Sequence, residues 1–435
     1  MQKTALNIAA ALALATFGAG TAFAQSSLTL YGNLDVSIDH VKKTAGVPLL
    51  DGTAAAVPVT STLSVPARIA TQGVKSSVTR VSPSASSQTA FGIKGEENLG
   101  DGYKASFVLE GQLGLDNGAL SQGGRIFGRQ SYVGLTTPFG EVRLGRQYAP
   151  IFWSTAFVTT ERFGATDLFI EGGTTNNLMV RHDNAASYWI KAGGLTASVG
   201  YSPNAGSPRK IGVITTGRNL GAPSGSNEYS DFDTGRSIGM FANYAFTPSL
   251  NATFGYHHNE FDGATFDVGG NFDSAFALKD YQAYNVGAKY VFPGSSIMLS
   301  GSYSQGEYNL QNGKSLDLQF MVVGVRVPVN AWTFSAQASQ IKFKNFTKGK
   351  DTGLLLGAEY ALSKRTTVYA RLSQIKDDEG QRADIGVNGL LGQVAGGPDV
   401  IATAVGFREI PSFAGAGINP GGKSTYIGAG VRHSF

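Results

Sequence analysis

The 435-residue sequence has no cysteine, carries 35 Lys+Arg against 31 Asp+Glu, and is rich in glycine (58 residues) and aromatics (11 %). Lack of cysteine excludes disulfides, thiolate metal sites and thiol nucleophiles, and a net charge of +4 is too near neutral to indicate nucleic acid. No run of eighteen apolar residues follows the N-terminus, so no transmembrane helix is expected.

The chain opens with a targeting pattern. Lys3 is the only charge in the first 24 residues, an apolar run extends from Ala5 to Ala15, and Ala22-Phe23-Ala24 closes it. A charged start, a short apolar middle and an Ala-x-Ala end define a secretory signal peptide, and the apolar run is too short for a membrane anchor. We therefore expect a mature chain from Gln25, 411 residues with a net charge of +3, forming one β-barrel domain over 25–435.

Beyond the leader the apolar period is two. Leu28, Leu30, Leu34, Val36 and Ile38 alternate with Thr29, Tyr31, Asn33, Asp35 and Ser37. Tyr103, Ala105, Phe107 and Leu109 oppose Lys104, Ser106 and Glu110. The same alternation recurs over 250–256 and 332–339. Successive strand side chains point to opposite faces, so each segment has one apolar and one polar face. Such strands fit a soluble sandwich or a membrane barrel with apolar faces toward lipid and polar faces toward a wet lumen. The polar faces are fully hydrophilic, and aromatics (Tyr244, Phe246, Tyr290, Phe292, Trp332, Tyr360) gather at segment ends, as girdles at the two lipid boundaries require.

Link lengths support the barrel. Short turn-rich links at 98–102, 137–140, 191–194, 247–249, 293–296, 328–330 and 362–365 alternate with long ones at 39–88, 112–126, 149–178, 203–236, 260–281, 309–315, 343–352 and 377–424. Fifteen links join sixteen antiparallel strands, from 28–38 to 425–435, with short periplasmic turns and long outer loops. First and last strands must pair, because an open edge in lipid leaves backbone groups unsatisfied.

At this point residues carry a family resemblance. LTLYGNLDVSI (28–38), FGIKGEENLGDGYKASFVLE (91–110), RQSYVGLTTPFGEVRLGRQY (129–148), RHDNAASY (181–188) and the terminal YIGAGVRHSF (426–435) resemble, in order, segments of the Gram-negative general porins. The resemblance implies a trimeric diffusion pore of the outer membrane, passing small hydrophilic solutes and ions. It also implies contact with membrane lipid and lipopolysaccharide, no cofactor, and a terminal Phe435 read by the outer-membrane assembly machinery. It further implies that the third loop folds into the lumen and sets its acids against wall bases.

Here those acids are Glu161, Asp167 and Glu171. Alternation supplies the wall. Phe91 and Ile93 toward lipid turn Lys94 inward; Tyr103 and Phe107 turn Lys104 inward; Tyr132, taken as outward, turns Arg129 inward; Tyr188 and Ile190 turn Arg181 inward. Arg129 and Arg181 match the family's wall arginines. A third is missing, because the family's Ser-Arg-aromatic-Gly reads Thr89-Ala90-Phe91-Gly92; Arg80 and Lys94 are candidates to compensate. Arg146, in phase with Val142 and Leu144, is expected to point outward to a subunit interface. Inward bases at 94, 104, 129, 143, 181, 289, 371 and 432 face inward acids at 35, 96, 110, 141, 183 and 359, predicting weak selectivity leaning to anions.

Other chemistry finds little footing. His257 and His258 are adjacent, so they point to opposite faces and do not share a metal; Asp377, Asp378 and Glu379 read as a solvated turn. No phosphate-binding glycine loop or nucleophile elbow occurs. An outer-membrane hydrolase, an adhesive surface protein and a substrate-specific channel remain as alternatives.

Overall fold

The computed structural model describes residues 26–44, 76–121, 124–162, 164, 166, 181–203, 210–211, 236–260, 265–266, 278–310, 313, 315–345, 349–377 and 423–435. The expected leader, Asp167 and Glu171 lie outside them.

Sixteen antiparallel strands form one closed sheet. They are β1 (Ser26–Thr44), β2 in two pieces, β2a (Ser76–Pro83) and β2b (Ala90–Gly100), β3 (Tyr103–Gln112), β4 (Gln130–Thr137) and β5 (Gly140–Tyr148). After a short helix α1 (Pro150–Ala156) come β6 (Arg181–Ala192), β7 (Leu195–Ser202), β8 (Ser237–Ala245), β9 (Leu250–Glu260) and β10 (Leu278–Val291). The series ends with β11 (Met298–Leu310), β12 (Ser315–Val329), β13 (Trp332–Asn345), β14 (Gly349–Ala361), β15 (Thr366–Asp377) and β16 (Lys423–Ser434). Consecutive strands pair throughout, and β1 closes the barrel on β16 from Asn33↔Ser434 to Thr44↔Lys423. Phe435 completes the seam: its backbone N–H donates to Gly32 O at 3.0 Å, Gly32 N–H donates back at 3.2 Å, and its ring fills the space where a Gly32 Cβ would stand.

The barrel is inside-out relative to a soluble protein. Outward residues are apolar and bare, such as Ile38, Val133, Val323 and Ile427, whereas Asp35, Asn285, Ser304 and Arg371 are buried on the inward face. Aromatic side chains pack at the short-turn end: Tyr244 on Phe246, Tyr290 on Phe292, and Trp332 on Phe334 and Tyr360. All seven expected short links fall at turns between strands.

Strand ends differ from expectation where polar residues resemble loop. The first long link is shorter than 39–88, because β1 continues to Thr44 and β2a starts at Ser76. Asp39 is not a loop residue; it faces inward, 2 % exposed, against Arg80 of β2a at 3.2 Å. β2 breaks after Pro83, which has no N–H for the ladder. Ser84 follows with φ +62°, and residues 84–89 leave the wall before β2b resumes.

Candidate functional site

The lumen site begins with glycine. Gly200, Gly239, Gly255, Gly287 and Gly324 sit on β7, β8, β9, β10 and β12, and a Cβ on each would lie no more than 3.1 Å from a residue of the third loop. Pro150 covers Gly200 and Gly239, Ser154 and Ile151 cover Gly255, Val158 covers Gly287, and Thr160 covers Gly324. The described loop residues therefore lie against the inward wall in a bed that only glycine leaves open. Hydrogen bonds fix them there: Thr253 Oγ1 donates to Ser154 O at 2.7 Å, Thr160 Oγ1 to Gln337 Oε1 at 3.2 Å, and Arg326 Nη1 to Thr160 O at 3.1 Å.

Past α1 the loop meets an arginine cluster. Four guanidiniums converge on the Glu359 carboxylate: Arg162 from the loop at 2.6 and 2.7 Å, Arg326 and Arg432 at 3.1 Å, and Arg371 at 3.4 Å. Arg371 also holds the loop acid Glu161 at 2.6 Å, both side chains almost wholly buried. The displaced segment 84–89 completes this cluster. Ser86 Oγ accepts from Arg432 at 2.6 Å and from Arg371 at 3.3 Å, and Thr166 donates to Ala85 O. Burial pulls the Arg162 pKa below its ordinary value, and Glu359 pulls it back up.

Beside this cluster is a cavity of about 270 Å³. Arg129, Arg162 and Arg181 line it together with Tyr31, Asn33, Gln88, Glu110 and Tyr148. Arg181 donates to Tyr148 Oη at 3.2 Å and lies 4.7 Å over its ring; Arg129 lies 5.8 Å from the same ring and pairs with Glu110 at 2.5 Å. Tyr31 Oη donates to the other Glu110 oxygen at 2.8 Å.

The structure brings together Arg129, Arg181 and, a step away, Glu161. Neither arginine is placed by the alternation that pointed to it. Tyr132 is inward, not outward: it is 9 % exposed, Arg143 lies 5.1 Å over its ring, and Val133 and Leu135 take the outer face. Arg129 precedes β4, where strand phase no longer binds it. Arg181 stands beyond a β-bulge, in which Gly145↔Ala185 gives way to Gln147↔His182, with Gly145 at φ +129° and Asn184 at φ +53°. The same bulge corrects Arg146. It does not point outward to a subunit interface but is 7 % exposed, bonded to Gly128 O and Asp183 at 2.7 Å. Asp183 is held by Arg146 and Arg125, and His182 stacks inward on His257 with ring centres 5.1 Å apart.

Lys94 and Lys104 face inward outside both clusters. Lys94 lies 5.3 Å over Tyr31, and Lys104 pairs with Glu96 at 2.7 Å beside the 101–102 turn. Arg80 pairs with Asp39. Arg162 and Arg326 escaped the sequence reading. Arg326 shares phase with Gly324 but is hidden by the unbroken apolar run Met321-Val322-Val323. Arg162 sits in a loop without period, and only its place beside Glu161 marks it.

Comparison with known proteins agrees with this architecture. A family model described as Gram-negative porin matches residues 9–380. Outer membrane porin protein 32 of Delftia acidovorans is 27 % identical over 434 residues, covering 98 % of this chain and 99 % of that one. An outer membrane porin protein of Bordetella pertussis is 27 % identical over 314 residues, 66 % of this chain and 76 % of its own. Among solved structures, an anion-selective porin from Comamonas acidovorans superposes with TM-score 0.63 at 24 % identity, over 94 % of this chain and all of that one. A trimer form of OmpT from Vibrio cholerae gives 0.58 at 13 % identity, over 94 % and 99 %.

Proposed function

Because the chain belongs to the Gram-negative porin family, and is thereby an outer-membrane porin channel, we propose that it passes small hydrophilic solutes passively, with weak selectivity for anions. The observation that carries this reading is the balance of charge around the third loop. Among the described residues there, six guanidiniums (Arg129, Arg162, Arg181, Arg326, Arg371, Arg432) face four carboxylates (Asp35, Glu110, Glu161, Glu359). A lumen with surplus fixed positive charge raises local anion concentration and lowers that of cations.

Arg162 supplies what Ala90 lacks. Both line the same cavity as Arg129 and Arg181, so the loop contributes the third guanidinium that the wall does not. In this reading the third loop narrows the channel, with Arg129, Arg162 and Arg181 on one side and Glu161 held back against the wall by Arg371. Lys94 and Lys104 are lumen charges outside the narrowing. The relatives' names supply parallel cases: one is an anion-selective porin, another was solved as a trimer. By the same likeness we take the working unit as a homotrimer, residues 1–24 as a removed signal peptide, and Phe435 as a signal to the assembly machinery.

The test is single-channel recording of the refolded protein in a planar bilayer under a potassium chloride gradient. Stepwise openings in threes with a reversal potential toward chloride are expected. A bilayer that stays silent with folded, inserted protein would remove the channel reading; a potential toward potassium would remove the anion preference.

A further inference from the structure

Two histidines from distant parts of the chain meet inside the barrel. His182 stands at the start of β6, past the bulge, and His257 on β9; their ring centres lie 5.1 Å apart, with 29° between the planes. Both are buried, at 1 % and 0 % exposure. They lie just outside the glycine bed. Gly255, two residues before His257 on the same face, rests under Ser154 and Ile151 of α1. From His257 the strand runs on only to Glu260, where a long link begins. Opposite His257 on β8 is Gly239, and opposite the next inward residue, Asn259, is Ser237.

The polar atoms of the pair are unequally served. His182 Nε2 shares a hydrogen bond with Ser237 Oγ at 3.1 Å. His257 has no hydrogen-bond partner on either ring nitrogen among the described residues. A buried polar group left without a partner is costly, so His257 marks a place made for a ligand. No ion pair explains the burial. Asp183, next to His182 in sequence, is taken by Arg146 at 2.7 Å and Arg125 at 2.9 Å. Imidazole nitrogen is the commonest metal ligand among side chains.

The spacing fits one ion held by both rings. Imidazoles bound through nitrogen at about 2.0–2.1 Å to a tetrahedral or square ion have ring centres about 4.5–5.2 Å apart. The 5.1 Å between His182 and His257 falls in that range. Ser237 suits the role of an outer partner. A ligating imidazole donates its other N–H to a neighbouring oxygen, so Nε2–H of His182 would donate to Ser237 Oγ and Nδ1 would ligate. Among the described residues no third His, Cys, Asp or Glu completes the set, so water takes the remaining positions. Charge selects further. Arg146 and Arg125 stand close, offset only in part by Asp183. A hard ion such as magnesium, which seeks oxygen ligands, gains nothing here to overcome them, whereas copper and zinc gain two imidazoles.

We propose that His182 and His257 form a binding site for a late first-row divalent transition ion, copper or zinc, on the inner wall beside α1. His258, adjacent in sequence, points to the other face and takes no part. The site is separate from the arginine cluster and holds whichever ion the channel prefers.

The experiment titrates Cu²⁺ onto the untagged, refolded protein in detergent and reads the electron paramagnetic resonance spectrum. Wild type should give one copper per chain, with hyperfine splitting from two imidazole nitrogens. Zn²⁺ should displace it and Mg²⁺ should not. His257→Gln and His182→Gln should each weaken copper binding at least tenfold and leave coupling to one nitrogen, with circular dichroism of the barrel unchanged. The triple variant H40Q/H258Q/H433Q, which removes the other histidines, should bind as wild type does. Coupling to fewer than two nitrogens in wild type overturns the proposal, and that reading needs no variant to fold. So does copper that survives His257→Gln but is lost in the triple variant, which would place it on the other histidines, or displacement by Mg²⁺, which would place it on oxygen ligands. Conductance, read in parallel, bears on the channel reading alone; silence of wild type would count against that reading and leave the copper result standing.

Discussion

Glu359→Gln removes the charge on which the lumen network is centred. Gln keeps the size and shape of the side chain, so four guanidiniums within 3.4 Å of Glu359 lose their shared counter-charge and only Glu161 remains to Arg371. One added unit of positive charge acts on a passing ion at about 5 Å with about 0.8 kcal/mol in bulk water. That is about fourfold more chloride and fourfold less potassium, or about twofold each once 0.1 M salt screens the field. The chloride-to-potassium permeability ratio should therefore rise roughly four- to sixteenfold. Stripping the partner from a buried charge costs about 3–5 kcal/mol, and the lower figure applies because the Arg162 side chain is 39 % exposed. The loop that Arg162 anchors should accordingly loosen, seen as faster hydrogen exchange over 150–162 and noisier open-channel current. Reversal potentials under a tenfold salt gradient give the ratio. A ratio that stays put, or moves toward potassium, refutes the placement of Glu359 in the ion path.

Three further outcomes follow from the same geometry. Arg162→Ala should enlarge the channel and move the reversal potential toward potassium, because the cavity loses its loop-borne guanidinium; unchanged selectivity would show that Ala90 has no substitute here. Gly255→Val places a side chain into Ser154 and Ile151, whose atoms stand 2.6–3.0 Å from the new Cβ, so single-channel conductance should fall while circular dichroism still reports an intact barrel. Deleting Phe435 removes two backbone hydrogen bonds at the β1–β16 seam. Spontaneous refolding into vesicles, where no assembly machinery is present, should slow. Normal refolding there combined with failed assembly in cells would confine the residue to a recognition role.

The barrel was legible because its rule is periodic and local. Alternation at 28–38 or 332–339 reports which face meets lipid, turn chemistry reports where strands reverse, and both survive ignorance of everything distant. Strand extent was less legible where a lumen-facing charge imitates a loop. Asp39 looks like the start of a link until Arg80, 41 residues later, is known to lie beside it. No local pattern reports such a pairing.

The site was partly legible for the same reason. Glu359, Arg371 and Arg432 occupy regular mid-strand positions and were correctly turned inward. Arg129 and Arg181 occupy strand margins, where the phase inferred from Tyr132 and Tyr188 fails; only likeness to the family's motifs located them. Arg146 was misdirected by a bulge that a single positive-φ glycine and one extra residue create. Arg162 obeys no period at all. The residues that tune a pore are thus concentrated where the chain departs from the periodic wall, at bulges, strand margins and the inserted loop. A regular wall can only alternate, whereas convergence of four arginines on one carboxylate requires side chains to arrive from different heights and directions. Two of those arginines come from adjacent strands β15 and β16, one from β12, and one from the loop lying on the glycine bed. The bed itself was visible as a high glycine content, but its purpose appears only when five glycines from separate strands are found beneath one segment.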